Sequence, residues 1–124
     1  MSDHITRLQT GDTRARMQSA RALGTLGDES ALPVLEQALQ DESVAVVRSA
    51  TLALGHIGGC AVLATLLRLL THEQVWVRKA SVEALGLSGC AEAVPILVNQ
   101  LAEPNSHALA REALIRLNVD PDFF

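Results

Sequence analysis

Apolar residues recur along this chain with the period of an α-helix, and polar residues fill the positions between them. The stretch 13–26 shows the pattern clearly. With Leu23 at the centre of a wheel advancing about 100° per residue, Ser19, Ala20, Leu26 and Arg16 fall within about 60° of it. Arg14, Gln18, Arg21 and Thr25 fall on the opposite side. One stripe is therefore buried and one exposed. The flanks carry Ala15, Ala22 and Gly24, small enough for neighbouring helices to approach closely on both sides. Extended along the chain, the pattern predicts helices near 4–10, 13–26, 30–40, 44–57, 61–70, 73–87, 91–102 and 106–117.

The helix ends have local causes. Gly27, Gly58 and Gly89 stand where a left-handed residue ends a helix. Asp12, Ser43 and either Asn105 or Ser106 are placed to cap the helices that follow them. Thr71 to Gln74 has the form of a capping box. Pro33 and Pro95 fall in first turns, where a missing N–H removes no helical bond.

These signals repeat. Leu-Gly-x-x-Gly occurs at Leu23–Gly27, Leu54–Gly58 and Leu85–Gly89, spaced by 31 residues. The same spacing links Leu35, Leu66 and Leu97, and then Leu39, Leu70 and Leu101. The 124 residues divide into four such units, near 1–27, 28–58, 59–89 and 90–120. Each unit holds two helical stretches, here called A (Pro-containing or its equivalent) and B (Gly-ending). Two antiparallel helices cannot bury both faces alone, whereas stacked copies can. The expected fold is all-α: a single domain, 1–124, built as a solenoid of four helical hairpins.

Composition sharpens this picture. Apolar residues make up 48% of the chain, with 20 Leu and 18 Ala, but aromatics only 2% and no Tyr, which argues against an all-β fold. Charged residues are 19%, too few beside so many aliphatics for a disordered chain. The longest uninterrupted apolar run is far below the roughly 18 residues of a membrane span. Met1-Ser2-Asp3-His4 lacks the basic and apolar regions of a signal peptide, so a cytoplasmic protein without membrane contact is expected. Cys60 and Cys90 occupy similar turns one repeat apart. Stacked helices lie about 8–10 Å apart, and a disulfide needs Cα atoms within about 7 Å. Two free thiols are therefore expected.

The repeat resembles HEAT repeats, in particular the short type named after phycobilisome lyases. The matching residues are Val77-Arg78, Glu83-Ala84-Leu85-Gly86 and Ala93-Val94-Pro95-Ile96-Leu97, with Ala22-Leu23-Gly24, Gly27-Asp28, Ala53-Leu54-Gly55 and Ile57-Gly58. The resemblance is clear over residues 12–102. The first unit has only a stub of helix A. The last is degenerate: Arg111 to Leu117 aligns only with a two-residue deletion, and Ile115 replaces the Gly. The resemblance implies a right-handed α-α superhelix with B helices on the concave face and A helices on the convex face. It also implies a ladder in which an Arg near the start of each B helix bonds a nearby acid. Asp12 is the expected partner of Arg16 and Glu73 of Arg78, while Arg48 with Asp41 takes over where Val47 interrupts the Arg column.

The charges are unevenly placed. Eight of the ten basic residues lie on B helices, whereas of the fourteen acids only Glu83 and Glu112 lie well inside them. The exposed B columns read Arg14, Ala45, Trp76; Gln18, Ser49, Ala80; Arg21, Leu52, Glu83; and Thr25, His56, Leu87, beside Met17, Arg48, Lys79. Large apolar groups next to Arg on a wet face characterise protein-binding patches. The candidate contact residues are Arg14, Gln18, Arg21, Arg48, Leu52, His56, Trp76, Lys79, Glu83 and Leu87.

Motifs for chemistry are scarce. The chain has no Gly-rich phosphate loop, G-x-S-x-G or C-x-x-C. Some HEAT-like hydroxylases hold two irons through several His-Glu pairs, but here His72-Glu73 stands alone at a turn, where a capping role fits better. No metal, cofactor or catalytic residue is expected. The expected function is a non-catalytic module, monomeric or homodimeric, that binds another protein or peptide on the concave face. One alternative is a subunit of a bilin-lyase-type enzyme, with Arg14, Arg21 and Arg48 clamping propionates. A weaker one is a HEAT-like nucleic-acid binder, against which a net charge of −4 and the scarcity of aromatics count. At the C-terminus, Asn118 suits a left-handed helix end and Pro121 stops continuation. Phe123 and Phe124 are expected to fold back over Leu114 and Leu117, or else to contact a second copy.

Overall fold

A computed structural model describes residues 2–123, which contain eight α-helices and no strand. The helices are α1 (Ser2–Thr10), α2 (Thr13–Leu26), α3 (Leu32–Ala38), α4 (Val44–Gly58), α5 (Leu63–Leu69), α6 (Val75–Leu87), α7 (Val94–Gln100) and α8 (His107–Arg116). Each odd-numbered A helix packs on the B helix that follows it, and the B helices stack in order, α2 on α4 on α6 on α8. Helix α1 is a nine-residue helix rather than a stub, and it covers the open side of α2 with Leu8 buried.

Seven leucines form the centre of the core. Leu23, Leu54, Leu85 and Leu114 come from the B helices and Leu35, Leu66 and Leu97 from the A helices, all fully buried. Each contributes roughly 1.5–3 kcal/mol on burial. Leu26 shares the stripe of Leu23 but is 56% exposed, because it is the last residue of α2 and the stripe runs past the end of the core there.

Helices 30–40, 61–70 and 91–102 were each expected to be continuous. Each instead opens with a 3₁₀ turn before its α-helix begins at Leu32, Leu63 or Val94. Pro33 and Pro95 sit at the start of α3 and α7, but α5 has Ala64 at that place and makes the same turn. The turn thus belongs to the repeat geometry, and proline is accommodated by it.

Asp12 caps α2 by accepting from the Ala15 N–H at 2.8 Å, and Ser43 caps α4 by accepting from Val46 at 3.5 Å. Ser106 precedes α8 without a side-chain cap bond. The capping box at Thr71–Gln74 does not form. Gln74 is the cap residue without a side-chain cap bond, and the His72 imidazole accepts its N–H through Nδ1 at 3.0 Å. One repeat earlier the Asp41 carboxylate accepts from Ser43 N–H in the same way, so His72 inherits a turn-forming position. The left-handed terminators are Gly27 (φ +70°), Gly59 (φ +53°) and Gly89 (φ +70°), with Asn118 (φ +64°) ending the last unit. The middle terminator is Gly59 rather than Gly58. Helix α4 runs on through Gly58, whose missing side chain leaves room for Val62. Within the apolar stretch Val44–Leu69 an 18-residue window has a mean hydropathy of 1.8, as a membrane span would, but the stretch is broken at Gly59 into α4 and α5 and half of that window is buried within the fold.

The expectation of free thiols is wrong. Cys60 and Cys90 form a disulfide, with Cα atoms 5.0 Å apart. The spacing of stacked helix axes does not apply to them, because both lie in the turns that leave α4 and α6, where the chain paths converge. The tail also differs from expectation. Phe123 is 82% exposed, and Phe124 lies outside the described residues. The end of α8 is covered by Pro121, which is buried, and by Val119, and it is fastened by Arg111 donating to Asp122 at 2.7 Å.

Close contact between B helices rests on glycine. A Cβ on Gly24 would come within 3.0 Å of Ala53, one on Gly55 within 2.7 Å of the Ala84 carbonyl oxygen, and one on Gly86 within 2.6 Å of Ala113. In an unobstructed helix, Gly→Ala stabilises by about 0.8–1 kcal/mol. For Gly55→Ala the obstacle includes backbone, and over-packing costs about 1–3 kcal/mol, so a net loss of stability is expected in urea unfolding. Gly24→Ala, with its looser contact, is expected to be near neutral. Equal gains from both would show that the contact is not tight. The disulfide closes a loop of 30 residues. Loops of that size predict about 3–4 kcal/mol of stabilisation, so reductant should shift the unfolding midpoint markedly downward. Titration of two free thiols in the unreduced, unfolded chain would contradict the bridge.

Candidate functional site

The B layer carries the residues singled out by charge and exposure. Along α2, the exposed stripe presents Arg14, Gln18, Arg21 and Thr25. Helix α4 presents Arg48, Leu52 and His56, and α6 presents Trp76, Lys79, Glu83 and Leu87. Ser49 and Ala80, expected on the exposed stripe with Gln18, are buried. Helices α4 and α6 have full-length B neighbours on both sides, whereas α2 has only the shorter α1 on one.

Between α2 and α4 this leaves a groove of about 430 Å³. Its floor is Gly24, Ser49 and Ala53, so the glycine contact that brings the helices together also keeps the floor low. Its sides are Met17, Arg21, Thr25, Arg48, Leu52 and His56. Four of the candidate residues therefore share one groove: Arg21, Arg48, Leu52 and His56. Arg14 and Leu87 are not among its lining residues, and Gln18 faces a separate cleft of about 360 Å³ with His4 and Arg7 against α1. Met17 and the small floor residues were missed as contact positions. Their signal was the run of small residues beside Leu23, which reads equally as close packing.

At the start of α6 the Trp76 ring is 58% exposed and the Lys79 ammonium lies 5.2 Å from its centroid. Such a cation–π contact is worth about 0.5–1 kcal/mol at an exposed site. Leu52 and Leu87 are half-buried, with Leu52 packed against the core, so Trp76 is the large apolar group of this face that stands clear of it. Arg48 also reaches Glu83 on α6 at 3.9 Å, with both side chains substantially exposed.

The arginine ladder is rearranged. Arg16 does not pair with Asp12, whose carboxylate is engaged in capping α2. Arg16 instead reaches forward into the next unit, where Nε donates to Asp41 at 2.7 Å and a terminal nitrogen donates to the other carboxylate oxygen at 3.2 Å, while Nη1 donates to the Gly11 carbonyl at 2.9 Å. The two side chains are only 17% and 13% exposed. Arg48 pairs with Glu83 rather than Asp41, since Asp41 is already occupied. Arg78 does not use the Glu73 carboxylate. It donates to the main-chain carbonyls of His72 and Glu73 at 2.7 and 3.1 Å. The structural roles of Asp12, Glu73, Arg48 and Arg78 are corrected accordingly.

Burial pushes the pKa of the Asp41 carboxyl up, but the hydrogen bonds from Arg16 and from Ser43 N–H, with the Arg16 charge, outweigh it and hold the carboxyl below its ordinary range. The Arg16 guanidinium is raised in turn, chiefly by that hydrogen bond. Among the described residues no group of three or more His, Cys, Asp or Glu side chains converges as a metal site, and every buried side-chain nitrogen or oxygen has a partner.

An all-α stack of helical hairpins with a floor of glycine–alanine contacts and inter-unit arginine pairing defines an α-solenoid repeat protein. The family model for HEAT repeats matches residues 4–55 and 48–118, and the chain belongs to that family. HEAT repeats mediate contacts between proteins. No curated protein matches the chain.

A carboxylate whose pKa is lowered by folding stabilises the fold above its unfolded pKa, near 3.9, and loses that contribution as pH falls through its folded pKa. Stability is therefore expected to drop below about pH 4. Asp41→Asn should lower stability at neutral pH and flatten that acid limb. An unchanged acid limb in the variant would remove Asp41 as its source.

Proposed function

We propose that this chain is a non-catalytic binding module that takes a protein partner along the B layer, acting as the concave face of the solenoid. The observation that carries the reading is the α2–α4 groove, lined by cations and half-buried aliphatics, together with the exposed Trp76 ring on the next B helix, α6. Binding energy in protein interfaces concentrates in Trp, Tyr and Arg at such places. The cations are spread over a surface rather than gathered round one reacting point. A bilin clamp would need Arg14 beside Arg21 and Arg48, and Arg14 does not line their groove. The Cys60–Cys90 bridge favours an oxidising compartment over the cytoplasm expected from the N-terminal residues.

Trp76→Ala tests the reading. Proteins retained from native lysate by the wild-type chain should be lost or weakened about tenfold or more, as for a hot-spot residue. Helical circular dichroism and stability should stay within about 0.5 kcal/mol, as for a surface substitution. Undiminished retention, or collapse of the melt, would count against Trp76 as a contact residue.

A further inference from the structure

We infer that the α2–α4 groove docks an acidic peptide segment bearing an aliphatic anchor residue. This rests on the binding-module reading above and narrows it to one groove and one partner chemistry. Charge is the first argument. Thr13–Leu26 and Val44–Gly58 hold four arginines and one histidine but no carboxylate, in a chain whose net charge is −4. The acids have been kept off these two helices. Arg16 is consumed by Asp41. Arg21 and Arg48 are left on the groove, and no ion pair of Arg21 occurs among the described residues. Among the described residues Arg48 pairs only with Glu83, at 3.9 Å and exposed to solvent, a pair that a partner carboxylate at closer range would displace. Both groove cations are Arg, whose planar fork matches a carboxylate with two parallel hydrogen bonds.

The second argument is the floor. Met17 and Leu52 are half-buried and packed against the core, flanking a base of Gly24 and Ala53 that no side chain larger than a methyl group obstructs. One repeat further on, the same two positions are Arg48 and Glu83, so the space between α4 and α6 is bridged by an ion pair. The apolar floor therefore belongs to the α2–α4 groove in particular. An aliphatic side chain fits there, with carboxylates to either side of it meeting Arg21 and Arg48. A nucleic acid fits less well. No aromatic residue lines the groove for base stacking.

The test is to pan a random peptide display library against the full chain, synthesise the enriched sequences and measure their affinity. Four variants are compared: Arg21→Gln, Arg48→Gln, Leu52→Glu and Trp76→Ala. Each is first checked for an unchanged helical spectrum, and Arg21 and Arg48, being exposed, are the substitutions least able to disturb the fold. The inference expects peptides rich in Asp and Glu around a Leu, Ile or Met. Their affinity should fall steeply with salt and drop about tenfold for each Arg→Gln change, the loss of one charge-assisted hydrogen bond. Peptides that bind through Leu52 and Trp76 but ignore salt and both arginine variants would overturn the acidic partner while leaving the module reading intact. Binding unaffected by all four variants would overturn both. An oligonucleotide that displaces the peptide at equal concentration, or a library that yields no enrichment, would overturn the inference.

Discussion

The contact between a glycine on one B helix and an alanine on the next governs the rest of this structure. Gly24 meets Ala53, Gly55 meets Ala84 and Gly86 meets Ala113. At Gly55 and Gly86 a side chain of any size would press on the backbone of the next helix, and at Gly24 it would meet Ala53 at the limit of contact. The first two contacts span 29 residues and the third 27, so the two-residue deletion in the last unit is absorbed before its B helix and the contact is preserved. In α8 the glycine position is taken by Ile115, 57% exposed, which could not accept a further helix at the same distance.

Everything polar in the stack is arranged around that spacing. Ser81 donates to the Leu66 carbonyl and so ties α6 to α5, and Thr65 donates to Glu36 across two A helices. Arg16 and Asp41 join the first two units at one edge. Cys60 and Cys90 join the turns after α4 and α6. Because each unit touches mainly its neighbours, such links between units determine how cooperatively the array folds. The low groove floor follows from the same close approach, so the groove is a by-product of the constraint that holds the helices together.

Much of the architecture was legible in the residues. Periodicity located all eight helices, and two of the three leucine columns named six of the seven core leucines, while the column of Leu39, Leu70 and Leu101 is half-buried and Leu114 stood in no column. The Gly and Ala flanks announced close stacking. These signals are local: a residue's side on a helix depends on spacing within a few turns. Arg21, Arg48, Leu52 and His56 could be placed on one exposed face by the same means, but whether they share a groove depends on how α2 sits against α4.

What local pattern could not decide was pairing across units. Asp12 was the partner expected for Arg16, but its carboxylate is held by the N-terminus of its own helix, and Arg16 pairs with Asp41 in the next unit. A Cys60–Cys90 bridge was rejected on the spacing of helix axes, which turn residues do not follow. At the tail the ring-bearing residues attracted attention, yet Pro121 and Val119 do the covering, as the Arg111–Asp122 bond fixes the path of the chain before it reaches Phe123. The sequence by itself determined the helices, their buried faces and the repeat that stacks them, since these follow from the period of apolar residues. The partners of individual polar groups and cysteines were decided only in the tertiary structure, where groups distant in the chain compete for the same few neighbours.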